Sequence, residues 1–301
     1  MMAAPQVLPD RSVKPTAFVL LAIVSVQLGS ALSKSLFDAL GASGAVFLRV
    51  GFAALVLLAL WRPPLYAYSR SSYRTLILFG LSLACMNLCF YVAIARIPLG
   101  IAVALEFIGP LGLSAAKSRQ WMDLVWVGLA AAGIVLLAPI GQSSLNPSGI
   151  VFALMAGVLW AVYIVLSART GQVDSGGGGL AVAMSVAALA IAPIGIASGG
   201  MALLAPNHLA IGFGVAMLSS VITYSLELEA LRTMPVTVFG VLMSLEPMVA
   251  ACLGLLLLGE QLDGRAIAAI LLVTIAAAGV SFFKPVLLPG PVNPVPRDSQ
   301  C

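Results

Sequence analysis

The sequence is poor in charged residues. Only 9% of its 301 residues are Asp, Glu, Lys or Arg, whereas an ordinary soluble domain has about 25%. Hydrophobic residues make up 61% of the chain, its mean hydropathy is +1.10, and long apolar runs recur along its whole length. This composition excludes a soluble globular domain and predicts an all-α polytopic membrane protein embedded in a lipid bilayer.

Residues that could build a catalytic or metal site are also scarce. The single histidine is His208, and no Ser/His pair, Asp dyad or metal-ligand cluster stands at helical spacing, so the sequence argues against an enzyme. The four cysteines have neither the spacing of a disulfide framework nor that of a zinc site. A Gly-rich phosphate-binding loop is missing too, which argues against ATP as an energy source. We therefore expect no metal and no cofactor.

Ten apolar segments are predicted to cross the membrane. The first is not a signal peptide, because it continues to about residue 33 without a convincing cleavage site and further spans follow. Residues 1–15 form a polar tail before it, and the proline-rich residues 285–301 are predicted to be disordered. The predicted spans are 16–37, 43–61, 74–95, 98–117, 122–139, 149–169, 179–198, 208–231, 235–258 and 264–283.

The basic residues predict the orientation of the chain. If the amino terminus is cytoplasmic, eleven Lys and Arg residues fall on the cytoplasmic side and four on the other, which is a positive-inside bias. Both tails are therefore expected in the cytoplasm. Because these residues are scattered among the loops, the net charge of +4 does not indicate a nucleic-acid partner. The four on the other side are Lys34, Arg49, Arg96 and Arg265.

The two halves of the chain resemble each other. Pro98 and Pro110 are twelve residues apart, and so are Pro235 and Pro247. Each half holds five predicted spans, and an odd number inverts the second copy relative to the first. Inverted repeats are common in secondary transporters, whose substrate site lies near mid-membrane at the repeat interface. The predicted repeats are residues 16–140 and 149–284.

Glu106 stands near the middle of an apolar span. A carboxylate at this depth costs about 2.5–3.5 kcal/mol on insertion scales, so it is a functional-site hypothesis by default. Pro110, four residues later, deprives the Glu106 carbonyl of its helical hydrogen bond. Free backbone groups at membrane depth are tolerated only against protein or a water-filled cavity. A buried carboxylate and a broken helix at the same place, at Glu106 and Pro110, predict a transport pathway. The alternative is that Glu106 makes a structural hydrogen bond to a neighbouring helix.

Other polar residues inside spans are candidates for the same site. Gln27 and Lys34 share a helical face, and Asn87 and Tyr91 are an i, i+4 pair. Gln27 and Asn87 could instead be interhelical contacts, and Lys34 could snorkel to the interface. Tyr163 lies in the sixth span, where a tyrosine is more often a packing residue than a ligand contact.

Two more glutamates complete the candidates. Glu246 directly precedes Pro247, and proline disfavours helical geometry in the residue before it. Glu246 could therefore be functional, or could bond backbone groups freed at a kink. Glu227 lies toward the cytoplasmic end of the eighth span, where it could also be solvated or paired with Arg232.

Most of these residues belong to stretches that resemble a known family. The stretches are 29–37, 48–49, 86–88, 90–91, 98–111, 123–127, 224–227, 239–240, 243–244, 246–247 and 259–260. Through them the chain resembles, over nearly its whole length, the bacterial inner-membrane threonine/homoserine exporters, EamA-type members of the drug/metabolite transporter superfamily. The Gly-Ile-Ala-Val-Ala-Leu-Glu-Phe run at 100–107 is specific to the exporters. The Leu-Glu-Pro and Leu-Gly-Glu pieces occur across the superfamily.

The resemblance implies secondary-active efflux of threonine, homoserine and related small amino acids across the inner membrane, by proton antiport with alternating access. We expect Glu106 to hold the substrate ammonium or, in its place, a proton. Half-helix amino termini, or Lys34 and Arg49, could hold the carboxylate. The expected substrate-binding residues are Glu106, Asn87, Tyr91, Gln27, Lys34 and Tyr163. The expected proton-coupling residues are Glu106, Glu246 and Glu227, and Pro110 and Pro247 are the expected helix kinks.

Several alternatives stay open. The same fold could export an aromatic amino acid, a purine, a drug or another cationic compound. A scaffold or receptor is a different class, and it would need no polar lining at mid-membrane. The oligomeric state does not follow from the sequence, and a homodimer is one option.

Overall fold

The regular structure of the chain is helical wherever it is described. The computed structural model describes residues 13–63, 68–116, 121–136, 145–173, 177–234 and 236–283. The predicted disordered tail 285–301, most of the tail 1–15, and Pro235 lie outside these ranges. The α-helices are α1 (Val13–Ser33), α2 (Phe37–Trp61), α3 (Arg70–Ile94), α4 (Leu99–Glu106), α5 (Ile108–Ala116), α6 (Trp121–Leu136), α7 (Pro147–Val173), α8 (Gly178–Gly199), α9 (Pro206–Ala216), α10 (Thr223–Thr233), α11 (Val236–Met243), α12 (Glu246–Leu258) and α13 (Gly264–Phe283).

Helices of membrane-spanning length and composition make up much of this structure. Among the described residues, six helical regions are long and apolar enough to cross a bilayer: Pro15–Trp61, Arg70–Ile94, Pro147–Ser167, Gly178–Leu204, Pro206–Glu227 and Val238–Leu258. Large apolar side chains such as Leu189 and Leu256 point outward, with 74% and 76% of their surface exposed. An apolar exterior suits lipid and not water. The predicted class, a helical multi-pass membrane protein, is confirmed.

The first of these regions contains two helices. It is 47 residues long, which is about 70 Å in a straight helix and more than twice the ~30 Å hydrocarbon core. A short 3-10 turn, Lys34–Leu36, follows α1, and Gly41 has φ 67° and ψ 171°. Glycine adopts this backbone conformation without steric cost. The break therefore separates α1 from the main part of α2.

Two apolar helices are broken at matching places. Between α4 and α5 the break falls at Phe107, and between α11 and α12 it falls at residues 244–245. The helices α4 and α11 that precede the breaks are both eight residues long. Pro110 and Pro247 follow the breaks, and neither has an N–H for the carbonyl four residues earlier. Both predicted kinks coincide with these breaks.

Helices of the first half of the chain pack against helices of the second half. Within the described ranges α2 lies against α8 and α9, and α6 lies against α13. α1 contacts α10, and α3 contacts α7 and α8. Glycines permit the close approaches: a Cβ at Gly80 would lie 2.6 Å from the Ala183 carbonyl oxygen on α8.

Glu260 joins three helix ends on one side of the bundle. Its Oε1 accepts a hydrogen bond from Lys34 Nζ at 2.5 Å, and its Oε2 accepts one from the Leu99 backbone N–H at 2.8 Å. Leu99 is the first residue of α4, where backbone N–H groups have no partner within the helix. Gly259, with φ 63°, ends α12 and directs the chain to this contact. The ends of α1 and α12 are thus fixed to the beginning of α4.

Candidate functional site

A cavity of about 340 Å³ lies between the two broken helices and α1, α2, α3, α7 and α10. Its volume is within the usual range of small-molecule sites. The polar residues that line it are Gln27, Ser30, Arg49, Asn87, Glu106, Tyr163, Ser167, Ser219, Thr223, Tyr224, Glu227 and Glu246. The apolar residues are Val26, Met86, Phe90, Phe107, Pro110, Trp160, Ile164, Phe239, Gly240 and Met243.

The structure brings together most of the residues predicted from the sequence. Of the six substrate-binding candidates, Gln27, Asn87, Glu106 and Tyr163 line the cavity. All three proton-coupling candidates line it: Glu106, Glu227 and Glu246. Residues far apart in the sequence therefore share one polar space inside an apolar protein.

Lys34 and Tyr91 are placed elsewhere and do not line the cavity. The Lys34 ammonium is bound by Glu260 at the end of α1, one helical turn beyond the cavity residue Ser30. The Tyr91 side chain is 0% exposed, and its ring lies 5.4 Å from the Arg49 guanidinium carbon. The structure therefore corrects both expectations: an ion pair holds Lys34, and Tyr91 supports Arg49.

Glu246 is bound to Gln27 across the two halves of the chain. Gln27 Nε2 donates a hydrogen bond to Glu246 Oε1 at 2.8 Å, and the two residues are 1% and 9% exposed. A buried carboxylate needs such a donor, because burial without one is costly. Gln27 Oε1 is buried and has no hydrogen-bond partner among the described residues. A ligand with a donor group could satisfy it.

Glu106 and Glu227 line the cavity, and the described residues do not hold their carboxylates. Neither carboxylate has a hydrogen bond, or an ion pair within 4.0 Å, in the described part of the chain. The side chain of Arg232, the alternative partner of Glu227, lies outside the described residues. The backbone of Glu106 is tightly packed, because a Cβ at Gly157 on α7 would lie 2.6 Å from the Glu106 carbonyl oxygen. Glu106 is therefore fixed by its backbone while its carboxylate is available to a ligand.

Arg49 is the cationic residue of the cavity lining. It is 6% exposed; Nε donates to Ser220 Oγ at 3.4 Å and Nη2 to the Ser219 carbonyl oxygen at 3.2 Å. From the sequence, Arg49 was one of the groups expected to hold a substrate carboxylate, and it falls inside the predicted span 43–61. An arginine inside an apolar helix is itself a signal of a functional site.

Aromatic side chains form much of the apolar wall. Phe107 and Trp160 meet edge to face with ring centroids 4.9 Å apart, and Tyr163 packs on Phe79 at 5.1 Å. Tyr163 thus combines the packing role that was its alternative with a place in the cavity lining. Tyr224 also lines the cavity.

A helical membrane protein whose two broken helices border a carboxylate-bearing cavity has the build of a secondary transporter. Residues 147–282 match the EamA-like transporter family. The chain is 42% identical over 267 residues to the threonine/homoserine exporter RhtA of Salmonella typhimurium strain LT2, covering 88% of this chain and 90% of that one. To RhtA of Escherichia coli K12 it is also 42% identical, over 250 residues, which are 82% of this chain and 84% of that one.

At this identity and coverage, the chain belongs to the EamA-like transporter family. The resemblance predicted from the sequence is confirmed, and so is the expectation of a transporter and not an enzyme. A crystal structure of a protein 16% identical in sequence has the same fold, with a TM-score of 0.59 over 89% of this chain and 96% of that one.

Proposed function

We propose that this chain exports threonine, homoserine and related small amino acids across the bacterial inner membrane, by proton antiport with alternating access. The observation that carries the proposal is the pairing of unbonded carboxylates with a guanidinium in one buried cavity. A zwitterionic amino acid needs both charges, because burying either of its own charges alone is expensive. The similarity to RhtA supports the substrate class.

Glu106 is the proposed partner of the substrate ammonium. Its carboxylate lines the cavity and has no hydrogen-bond or ion-pair partner among the described residues. A cation that leaves water needs an anion with open acceptor positions, and a carboxylate supplies them. Glu106 also lies in the run 100–107 that is typical of the exporters.

Gln27 and Asn87 are the proposed partners of the substrate hydroxyl. Among the residues that the structure describes, none donates a hydrogen bond to Gln27 Oε1. Asn87 Nδ2 donates to the Leu83 carbonyl oxygen at 2.9 Å, a bond that does not use its amide oxygen. A hydroxyl group could donate to either amide oxygen. A site built in this way rejects analogues without the hydroxyl, since its buried polar atoms would stay unpaired.

Protons and substrate are proposed to compete for the same carboxylates. When the substrate ammonium leaves Glu106, a proton takes its place. The Glu106 carboxylate is therefore neutralised both with substrate bound and without it. Glu227 and Glu246 are the further proton-coupling candidates, and both line the cavity. Exchange at one carboxylate gives antiport directly, because the two cations cannot be bound there together.

Two inverted five-helix repeats, residues 16–140 and 149–284, are the proposed frame for alternating access. The equal lengths of α4 and α11 and their matching breaks support this division. The helix contacts support it as well. In this division α7 is the counterpart of α1, and α10 belongs to the counterpart of α3. The contact of α1 with α10 should therefore have an equivalent between α7 and α3, and both contacts are present. In this scheme there are ten spans, both termini are cytoplasmic, and the Lys34–Glu260 contact closes the outer side.

Efflux from preloaded cells tests the proposal. Labelled threonine and homoserine are followed from cells that express the wild type, Glu106→Gln or Glu229→Gln at matched membrane levels. Glu229→Gln makes the same chemical change outside the cavity lining and serves as control. Of the two variants, we expect only Glu106→Gln to abolish efflux. An ionophore that collapses the proton gradient should abolish efflux by the wild type. A well-expressed wild type without efflux would overturn the substrate, and an active Glu106→Gln would overturn the exchange at Glu106.

The aromatic wall favours a second substrate class. Phe90, Phe107 and Trp160 line the cavity together, and aromatic faces attract both rings and cations. An aromatic amino acid or a cationic compound would therefore fit the same space. Competition separates the classes: excess unlabelled homoserine should slow efflux of labelled threonine, whereas excess phenylalanine should slow it only if this second class is correct.

A further inference from the structure

We propose that Arg49 and the Ser219 hydroxyl bind the carboxylate of the transported amino acid, a role that rests on the function proposed above. Both residues line the cavity, and both are buried, with 6% and 1% of their surface exposed. Arg49 brings a charge, and Ser219 brings a hydroxyl that has no hydrogen-bond partner among the described residues. A carboxylate has two oxygens and can accept from both groups.

The chain holds the Arg49 guanidinium in one orientation. Its two hydrogen bonds to Ser219 and Ser220 use Nη2 and Nε, and neither uses Nη1. Its Cζ atom lies over the Tyr91 ring, 5.4 Å from the centroid. Because the fork of N–H groups is rigid, the bonds along one edge and this ring contact together restrict how the remaining edge can turn. Arg49 is thus prepared for a planar anion before the anion arrives.

The support of Arg49 is an irregular turn between α9 and α10. Residues Met217–Ile222 form a π-helix, a rare feature that is frequent at functional sites. Side chains hold this turn: Ser25 Oγ and Thr223 Oγ1 each donate to the Leu218 carbonyl oxygen at 2.7 Å. The next carbonyl, that of Ser219, is the one that accepts from Arg49. The turn therefore directs the carbonyl of one cavity residue, Ser219, to the guanidinium.

The spacing of charges leaves room for a zwitterion. Arg49 and Glu106 attract each other electrostatically, yet they form no ion pair within 4.0 Å. In a site whose purpose was stability, these opposite charges would meet directly. A gap between them suits a ligand whose ammonium faces Glu106 and whose carboxylate faces Arg49.

The other groups that could hold a carboxylate are less suitable. Lys34 is bound to Glu260 outside the cavity. The amino terminus of α12 carries Glu246 itself, which would repel an anion. In the first turn of α5, Pro110 has no N–H, and Gly109 packs against the backbone of Gly157. Arg49 is therefore the group in the described residues that best fits an anion.

Competition by a substrate analogue tests the subsite. Threoninamide keeps the ammonium and hydroxyl of threonine but replaces the carboxylate with a neutral amide. In vesicles, one measures how much unlabelled threonine or threoninamide halves the transport of labelled threonine. Binding to purified protein is measured in parallel as the shift of the unfolding temperature that each compound causes. We expect the wild type to prefer threonine at least about tenfold, since charged hydrogen bonds are the strong ones.

The variants assign this preference to residues. Arg49→Gln should bring the preference close to one, Arg49→Lys should restore part of it, and Ser219→Ala should lower it severalfold. Ser219→Ala is the gentler change, because it keeps the backbone carbonyl that binds Arg49 and so preserves the fold. Arg96→Gln, at an exposed arginine outside the cavity lining, is the matched control and should leave the preference unchanged.

The outcomes separate the two proposals. A wild type that is neither inhibited nor stabilised by threonine overturns the proposed substrate and this subsite with it. If the wild type prefers threonine, and Arg49→Gln and Ser219→Ala prefer it to the same degree as the wild type, the subsite is overturned and the proposed substrate stands. A merely structural role for Arg49 would lower the transport rate or the amount of folded protein without changing the ratio of the two compounds.

Discussion

Gln27 and Glu246 are joined by a buried hydrogen bond of 2.8 Å, although 219 positions separate them in the sequence. The bond links α1 in the first half of the chain to α12 in the second. It also lies in the lining of the cavity. One contact therefore connects the stability of the bundle to the site.

Gln27→Leu should destabilise the folded protein by about 1–3 kcal/mol, because it leaves the Glu246 carboxylate buried without its donor. Glu246→Gln should cost less, since an amide oxygen at that position can still accept from Gln27. Unfolding in detergent, followed by heat or denaturant, measures both. Gln261→Leu, at an exposed position, is the control. Equal losses for Gln27→Leu and Gln261→Leu would show that the bond contributes nothing.

Glu260→Ala should lower the unfolding temperature more than Glu260→Gln does. The alanine variant loses both the ion pair to Lys34 and the bond to the Leu99 N–H, whereas the glutamine variant keeps an acceptor for Leu99. A cap is typically worth about 0.5–2 kcal/mol and a partly exposed ion pair about 0–1 kcal/mol. Lys34→Met, which removes the ion pair alone, should resemble Glu260→Gln. The same unfolding assay gives the order, and an equal effect of all three would contradict it.

Gly157→Ala should reduce transport about tenfold or more at an unchanged amount in the membrane. The new Cβ would press on the carbonyl oxygen of Glu106 from 2.6 Å, and overpacking of this kind costs about 1–3 kcal/mol. The displacement acts on the proposed ammonium ligand. Gly112→Ala is the matched control, because its Cβ would meet nothing within 4 Å. Threonine efflux at equal expression is the measurement; full activity of Gly157→Ala would show that the position of Glu106 is not critical.

The proposed ten spans predict the side of each loop. In a variant without native cysteines, Arg96→Cys and Gln261→Cys should react with an impermeant maleimide added to intact cells. Ser69→Cys should react only after the membrane is opened. All three positions are exposed in the structure. Labelling of Ser69→Cys in intact cells would contradict the ten-span scheme or its orientation.

The sequence predicted much of this architecture because its signals are local. Apolar length predicted a helical membrane protein, and Pro110 and Pro247 lie shortly after the two helix breaks at Phe107 and at residues 244–245. Glu106 stood out because an isolated carboxylate in an apolar span has a large energetic cost. Each of these arguments needs only neighbouring residues, and the class of helical multi-pass membrane protein follows from them.

Long-range contacts account for what the sequence could not predict. Spacing grouped Lys34 with Gln27, but the partner that holds it, Glu260, is 226 positions away. Asn87 and Tyr91 share a helical face, yet the Arg49 guanidinium from α2 covers Tyr91 and leaves Asn87 at the cavity. The π-helical turn that supports Arg49 has no simple sequence signature. Which neighbour covers a face is decided by tertiary packing.

Membrane voltage should act on this transporter through the charges that line its cavity. In the described residues these are three carboxylates and one guanidinium, and a zwitterionic substrate adds no net charge. A cavity with every carboxylate ionised therefore carries the same excess negative charge whether it is loaded or empty. Each elementary charge that crosses the field exchanges about 2.3 kcal/mol per 100 mV. Under the proposed antiport, the number of protons that enter for each exported zwitterion therefore sets the net charge moved in each cycle, since charges that stay on the protein return with it.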